Sequence, residues 1–380
     1  MKRLVLKIAG VLAAFTGIAQ NYTTISHVDV FDGSQLHKDV YFTFKDSVII
    51  SISKQPIKYK GAREIEGTGK TILPPFINAH VHIANVNNLK EALNVGIFAM
   101  MDMFTLDRRA NNLRKYNDSL YYAHYYSSNV GATIPGGHGT EYKVKIPVIE
   151  DSITPVKFVR ERIAQNADYI KISQEHTMAL MSKVQLAEII TETHKHKKLT
   201  VVHISHLADA LQLVELGVDG LAHTWYLKAP LVSKEQLDVM KEKKIFIIPT
   251  LSVIQKLKDN SDSTELKNQL SLEEVFNEVK KAYKAGVPIL AGTDAQNFGM
   301  NFTTQFYDEF ILLSKCGLSN IDILKAGSSN IYNAFKLKEF NNLAPNSIAN
   351  FTLIDGKPCL RIEDIYNQKK VWKFGIEITT

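Results

Sequence analysis

The sequence predicts an α/β protein: a (β/α)8, TIM-like barrel over residues 71–339, with a small β-sandwich domain built from both chain ends, residues 20–70 and 340–380. Three observations lead there. From Thr71 onward, apolar strand-like runs alternate with helical patterns, the sign of βα units and a parallel sheet. Eight such runs can be read, the number that closes a barrel. The stretches on either side read instead as short strands separated by turn residues, which suits an antiparallel sheet.

Residues 1–19 have the form of a signal peptide. Met1-Lys2-Arg3 is a charged start, Leu4 to Ala19 is mostly apolar, and Gly17-Ile18-Ala19 offers small residues for cleavage. Lys7 interrupts a run already short for spanning a bilayer, so no stable membrane anchor is expected. The mature chain is expected to be exported, periplasmic or secreted. No cysteine follows the apolar run to take a lipid.

The early strands are His27–Phe31, Val40–Phe44 and Val48–Ile52, with turns at Asp32-Gly33 and Lys45-Asp46. Leu73-Pro74-Pro75-Phe76 then stiffens the approach to the first barrel strand. Barrel strands are expected at 76–82, 98–103, 125–130, 168–173, 199–204, 219–224, 245–250 and 287–292. Helix starts between them are marked by Thr154-Pro155 and by the spacings Ser182…Gln185, Ser233…Gln236 and Ser271…Glu274. A last helix, 319–335, opens with Ser319…Asp322. The strand-like Phe351–Ile354 and Lys370–Phe374 follow it and return the chain to the first sheet.

At 380 residues and 45% hydrophobic, the chain can bury a large core and is not disordered. The net charge of +6 includes Lys2, Arg3 and Lys7 of the leader. The other lysines are spread out with no aromatic-basic cluster, so no nucleic-acid partner is indicated. Two cysteines, Cys316 and Cys359, make no disulfide framework, and whether they pair is left open.

The chemistry lies where the strands end. In an extended strand alternate side chains share a face, so His80 and His82 point the same way and offer two nitrogens to one metal ion. In Asp168–Ser173, Lys171 stands between two isoleucines and faces the barrel interior, where a lone ammonium would be costly. His203 closes the fifth strand, His223 the sixth and Asp294 the eighth. Ligands in such a barrel belong at these C-terminal strand ends. Five strands agreeing in register point to a metal site.

Pro75–His82, Ala167–Ile172, Val202-His203, Gly220–His223 and Gly292-Thr293-Asp294 resemble the metal-ligand strands of the amidohydrolase superfamily. The Pro135-Gly136-Gly137-His138-Gly139 loop is similar to the branch holding imidazolonepropionase-like enzymes and metal-dependent prolidases or dipeptidases. The resemblance implies two divalent metal ions, usually Zn2+. By position, His80, His82 and Asp294 would hold one ion, His203 and His223 the other, and an N6-carboxylated Lys171 both. Pro75 and Asn78 stand where Gly and Asp are common, Ala222 and Thr224 where Glu and Gly often are, and Asn350 where many members have Asp. None of these is a ligand.

The implied function is metal-dependent hydrolysis of an amide-type C–N bond in a small-molecule substrate, a dipeptide or N-acyl amino acid, by a metal-bridging hydroxide. Asp294 and His138 are the catalytic candidates, Asp294 as proton carrier and His138 as electrophile or hydrogen-bond donor. A lactonase or esterase and a deaminase remain alternatives. Deamination is disfavoured because His203-Ile204-Ser205-His206 lacks the Glu such enzymes commonly carry there. An inactive binding protein would be expected to have lost a ligand. Trp225 and Tyr226 either line the pocket or pack against a loop, and Arg108, Arg109 and Arg114 either meet a carboxylate or form a solvated helix face. His176 and His206 read as structural or surface residues, and homo-oligomerisation is left open.

Overall fold

The computed structural model describes residues 22–142, 144–227, 231–260 and 270–379; the expected signal peptide lies outside them. Both chain ends meet in one sheet. Strands β1 (Tyr22–Phe31), β2 (Leu36–Lys45), β3 (Val48–Ser53), β4 (Arg63–Glu66) and β5 (Lys70–Leu73) come from the start. From the end come β13 (Phe351–Asp355), β14 (Lys369–Lys373) and β15 (Ile376–Ile378). Their order is β15-β14-β13-β5-β1-β2-β3, with β4 also paired to β1.

Hydrogen bonds thus link into one sheet what the sequence suggested as two facing sheets. The reason is that β5 bridges the two ends, lying parallel to β1 and antiparallel to β13. Residues 71–73, read as barrel from the sequence, therefore pair in this sheet. Phe42 on β2 and Phe351 on β13 lie three strand positions apart, roughly 14 Å in a flat sheet. Their ring centroids are 5.0 Å apart, so the sheet curls over on itself around Phe42, Phe44, Phe351 and Trp372.

The middle of the chain forms two parallel sheets. One contains β6 (Phe76–Val81), β7 (Ile97–Asp102) and β8 (His124–Ser127). The other contains β9 (Ile170–Ser173), β10 (Thr200–His203), β11 (Gly220–Ala222) and β12 (Phe246–Ile248). Their edges are joined on both sides. Between β8 and β9, Ala132 N–H donates to Lys171 O at 2.8 Å and Ser173 N–H donates to Ala132 O at 3.0 Å.

On the other side stands the eighth expected strand, 287–292, which makes only an isolated bridge from Ile289 to Ile247. It still donates Leu290 N–H to Ile247 O at 2.9 Å and accepts from Ala79 N–H at Ala291 O, 3.0 Å. Pro288 has no N–H to give, and Thr293 and Asp294 both donate to His80 O, which breaks the regular ladder.

The cap spacings act as their chemistry requires. Thr154, Ser182, Ser233, Ser271 and Ser319 each accept a backbone N–H three residues on, and Pro155 occupies the first helical turn. The last expected helix is two, Asn320–Ala326 and Ser329–Phe335, broken at Gly327-Ser328. A Cβ on Gly327 would lie 2.4 Å from Phe310, so the chain turns there against an aromatic ring.

Candidate active site

A cavity of about 480 Å³ opens where the parallel strands end, and His80, His82, His138, Lys171, His203, His223 and Asp294 all line it. Every residue singled out in the sequence for metal binding or catalysis is therefore in one place. Rings follow one another across it, with centroids 5.5 Å apart for His80–His82, 5.0 Å for His80–His223, 4.6 Å for His203–His223 and 4.4 Å for His138–His203.

Strand alternation delivers the first group. His80 and His82 Nε2 lie 3.0 and 2.8 Å from the same Asp294 oxygen, Oδ1. Asn297 donates to Oδ2 at 2.9 Å. Burial alone would raise the Asp294 carboxyl, but the hydrogen bonds of His80 and His82 hold it well below the ordinary carboxylate range. Burial and the nearby Lys171 push His80 down to about 3, so it is neutral, and its Nδ1 is buried without a partner. For His82 burial works against the charge, yet Asp294 outweighs it and raises the value. Both ring nitrogens of His82 face acceptors, Asp294 Oδ1 and Phe104 O. Asp294 adopts φ 62, a left-handed conformation rare outside glycine and tolerated by Asp.

Asn78 secures this group. Its amide donates to Thr293 Oγ1 at 3.0 Å, and its oxygen accepts Thr293 N–H at 3.2 Å, tying β6 to the segment that carries Asp294.

For His203 and His223 the hydrogen bonds settle which nitrogen is free. Thr250 donates its hydroxyl hydrogen to Pro249 O at 2.8 Å, so at 2.6 Å it must accept from His223 Nδ1–H. His223 Nε2 is left with its lone pair. Glu175 accepts from His203 Nε2–H at 3.0 Å, leaving Nδ1 with its lone pair. Burial would raise Glu175, but its bonds from His203, Thr177 and Ser205 bring it down to about 2, so it is ionised. Glu175 was not singled out in the sequence: it follows β9 by two residues and carries no periodic signal. It supplies from a neighbouring loop the carboxylate that the residues after His203 lack.

Lys171 faces the interior as alternation requires, is 4% exposed, and its Nζ has no hydrogen-bond partner. Burial pushes it down to about 7. A buried amine that gives up its proton so readily, has no hydrogen-bond partner and stands among histidines is an incomplete arrangement. The donors fit divalent ions: His80, His82 and Asp294 offer atoms within 4.8 Å of one another, and two further imidazoles present free nitrogens beside Lys171.

His138 pairs through Nδ1 with Glu141 Oε1 at 2.7 Å, and burial, with His203 close by, pushes it down to about 4. Met103, Phe104, Tyr142 and Phe298 form apolar walls. Trp225 does not reach the cavity; its indole N–H donates to Glu278 at 2.8 Å. Tyr226 is likewise not among the lining residues. Arg114 is held at 3.1 Å by Asp168, Ser127 O and Asn129, so it is a structural cation, while Arg108 and Arg109 are exposed. Cys316 and Cys359 are both free and buried.

Residues 71–375 match the amidohydrolase family. The chain belongs to that family. This amidohydrolase is a hydrolase of carbon–nitrogen bonds, and its family generally binds divalent metals. Its fold is shared with a Xaa-Pro dipeptidase with bound methionine in its active site, at TM-score 0.79 and 17% identity over 94% of this chain and 100% of the other. A putative prolidase from Bifidobacterium longum superposes at TM-score 0.79 and 19% identity, covering 94% of each chain. A. niger ochratoxinase does so at 0.79 and 17%, over 94% of this chain and 95% of that one. No curated relative matches the chain. Among the described residues no helix is long and apolar enough to cross a membrane.

Proposed function

We propose that this amidohydrolase hydrolyses the amide bond of a dipeptide or N-acyl amino acid, with two zinc-type ions at the end of a closed (β/α)8 barrel. The observation that carries the reading is the buried, partnerless Lys171 Nζ among imidazoles with free nitrogens. His80, His82 and Asp294 would hold one ion and His203 and His223 the other. Lys171 would hold both after its neutral Nζ attacks CO2, forms an N–C bond and releases a proton, which yields an anionic carbamate. This exchanges an uncompensated amine for a bidentate oxygen ligand. The bound ions supply an acidified water and an electrophilic partner for the substrate carbonyl.

Asp294 then accepts the proton of the attacking water at its carboxylate and returns it to the leaving nitrogen. His138, whose Nδ1 lies 2.7 Å from Glu141 Oε1, lines the cavity as the side chain placed to donate a hydrogen bond to the substrate. Met103, Phe104, Tyr142 and Phe298 exclude water and favour an uncharged, apolar substituent near the scissile bond. The fold shared with a Xaa-Pro dipeptidase and a prolidase supports the substrate class. Export of the mature chain belongs to the same proposal.

Metal content by plasma mass spectrometry, for wild type beside Lys171→Ala, tests the reading. About two ions per chain, falling sharply in the mutant, is the expected result. One ion indifferent to the mutation would replace it with a mononuclear site, and no metal after reconstitution would end it.

A further inference from the structure

Outside the cavity a second set of donors converges. His176 follows β9, His206 immediately precedes the helix Leu207–Leu216, and Asp209 lies in the first turn of that helix. One ring nitrogen from each histidine and an Asp209 oxygen all fall within 4.8 Å of one another. None of the three lines the main cavity.

We propose that His176, His206 and Asp209 form a separate, solvent-facing site for a transition-metal dication such as Zn2+, outside the hydrolytic cavity. The donor set, two imidazoles and a carboxylate, is one that Zn2+ takes with water in the fourth position. His176 Nδ1 and Asp209 Oδ2 are 3.0 Å apart, close to the roughly 3.3 Å that separates two ligands on a tetrahedral zinc.

The free nitrogen of His206 is also settled. Ser205 donates its hydroxyl hydrogen to Glu175 at 2.9 Å, so at 3.0 Å it accepts from His206 Nδ1–H. This leaves His206 Nε2 with its lone pair and a partner that fixes the ring, as metal-bound histidines usually have. The two rings stack at 4.0 Å, a contact that disfavours a charge on both and keeps a ligand available. The positive end of the helix opposes a cation here, which makes the Asp209 carboxylate necessary to the site.

The test is calorimetric titration of the metal-loaded protein, cleared of free metal, with ZnCl2. Wild type is expected to take up one further equivalent, which His176→Ala and Asp209→Asn lose. Lys171→Ala should retain it, so the outer site is read whatever becomes of the inner one. His176 exposes 47% of its side chain, so its replacement leaves the fold intact should Asp209→Asn fail to fold. A wild type without a further equivalent, or a His176→Ala protein that binds as many, would overturn the proposal.

Discussion

Glu175 Oε2 receives the Nε2 proton of His203 at 3.0 Å, although one residue lies beyond the end of β9 and the other closes β10. The carboxylate orients the ring and aims its remaining nitrogen into the cavity. Glu175→Ala is expected to lower metal affinity or kcat/KM by about 10–100-fold, the usual effect of removing such a partner. Glu175→Gln keeps an acceptor oxygen and should lose less. Equal losses in both, measured as metal Kd and kcat/KM, would count against an orienting role.

Thr250 plays the same part for His223. Thr250→Val keeps the shape but removes the acceptor, leaving a buried N–H unpaired at a cost of about 1–3 kcal/mol. Its expected signature is a lower Tm together with weaker metal retention. Thr250→Ser, which restores the hydroxyl, should recover both, and a Val variant matching wild type would remove Thr250 from the account.

Glu309 links pH to stability. It is buried, accepts the Leu251 and Ser252 amides at 2.9 and 2.8 Å, and is pushed up to about 7 by burial. A carboxyl with a folded value above its unfolded one binds its proton more tightly when folded. Its contribution is therefore complete below pH 4.5 or so and is lost as pH rises through about 7. Urea denaturation of wild type and Glu309→Gln should show wild type losing roughly 1–3 kcal/mol relative to the variant across that window. Parallel curves would refute the assignment.

Gly220 opens β11, and a Cβ there would lie 2.0 Å from Cε2 of Phe246 on β12. Gly220→Ala should destabilise by about 1–3 kcal/mol through overpacking between neighbouring strands, read as a lower urea midpoint. An unchanged midpoint would mean that Phe246 moves aside freely.

What the sequence determined by itself is what covalent geometry makes local. Alternation placed His80 and His82 on one face and Lys171 inward, and the Ser or Thr caps marked five helix starts, because each depends only on residues a few positions apart. The ends of successive parallel segments then carried six of the site residues into one cavity, and the loop after β8 brought His138 to join them. Tertiary structure decided the rest. Glu175 and His203 are 28 residues apart, Thr250 and His223 are 27, and Asn78 and Thr293 are 215, so no local pattern announces these partners. The same holds for the end sheet. Two stretches separated by the whole parallel region join because β5 offers one edge to β1 and the other to β13, and that pairing exists only once the chain has folded back on itself.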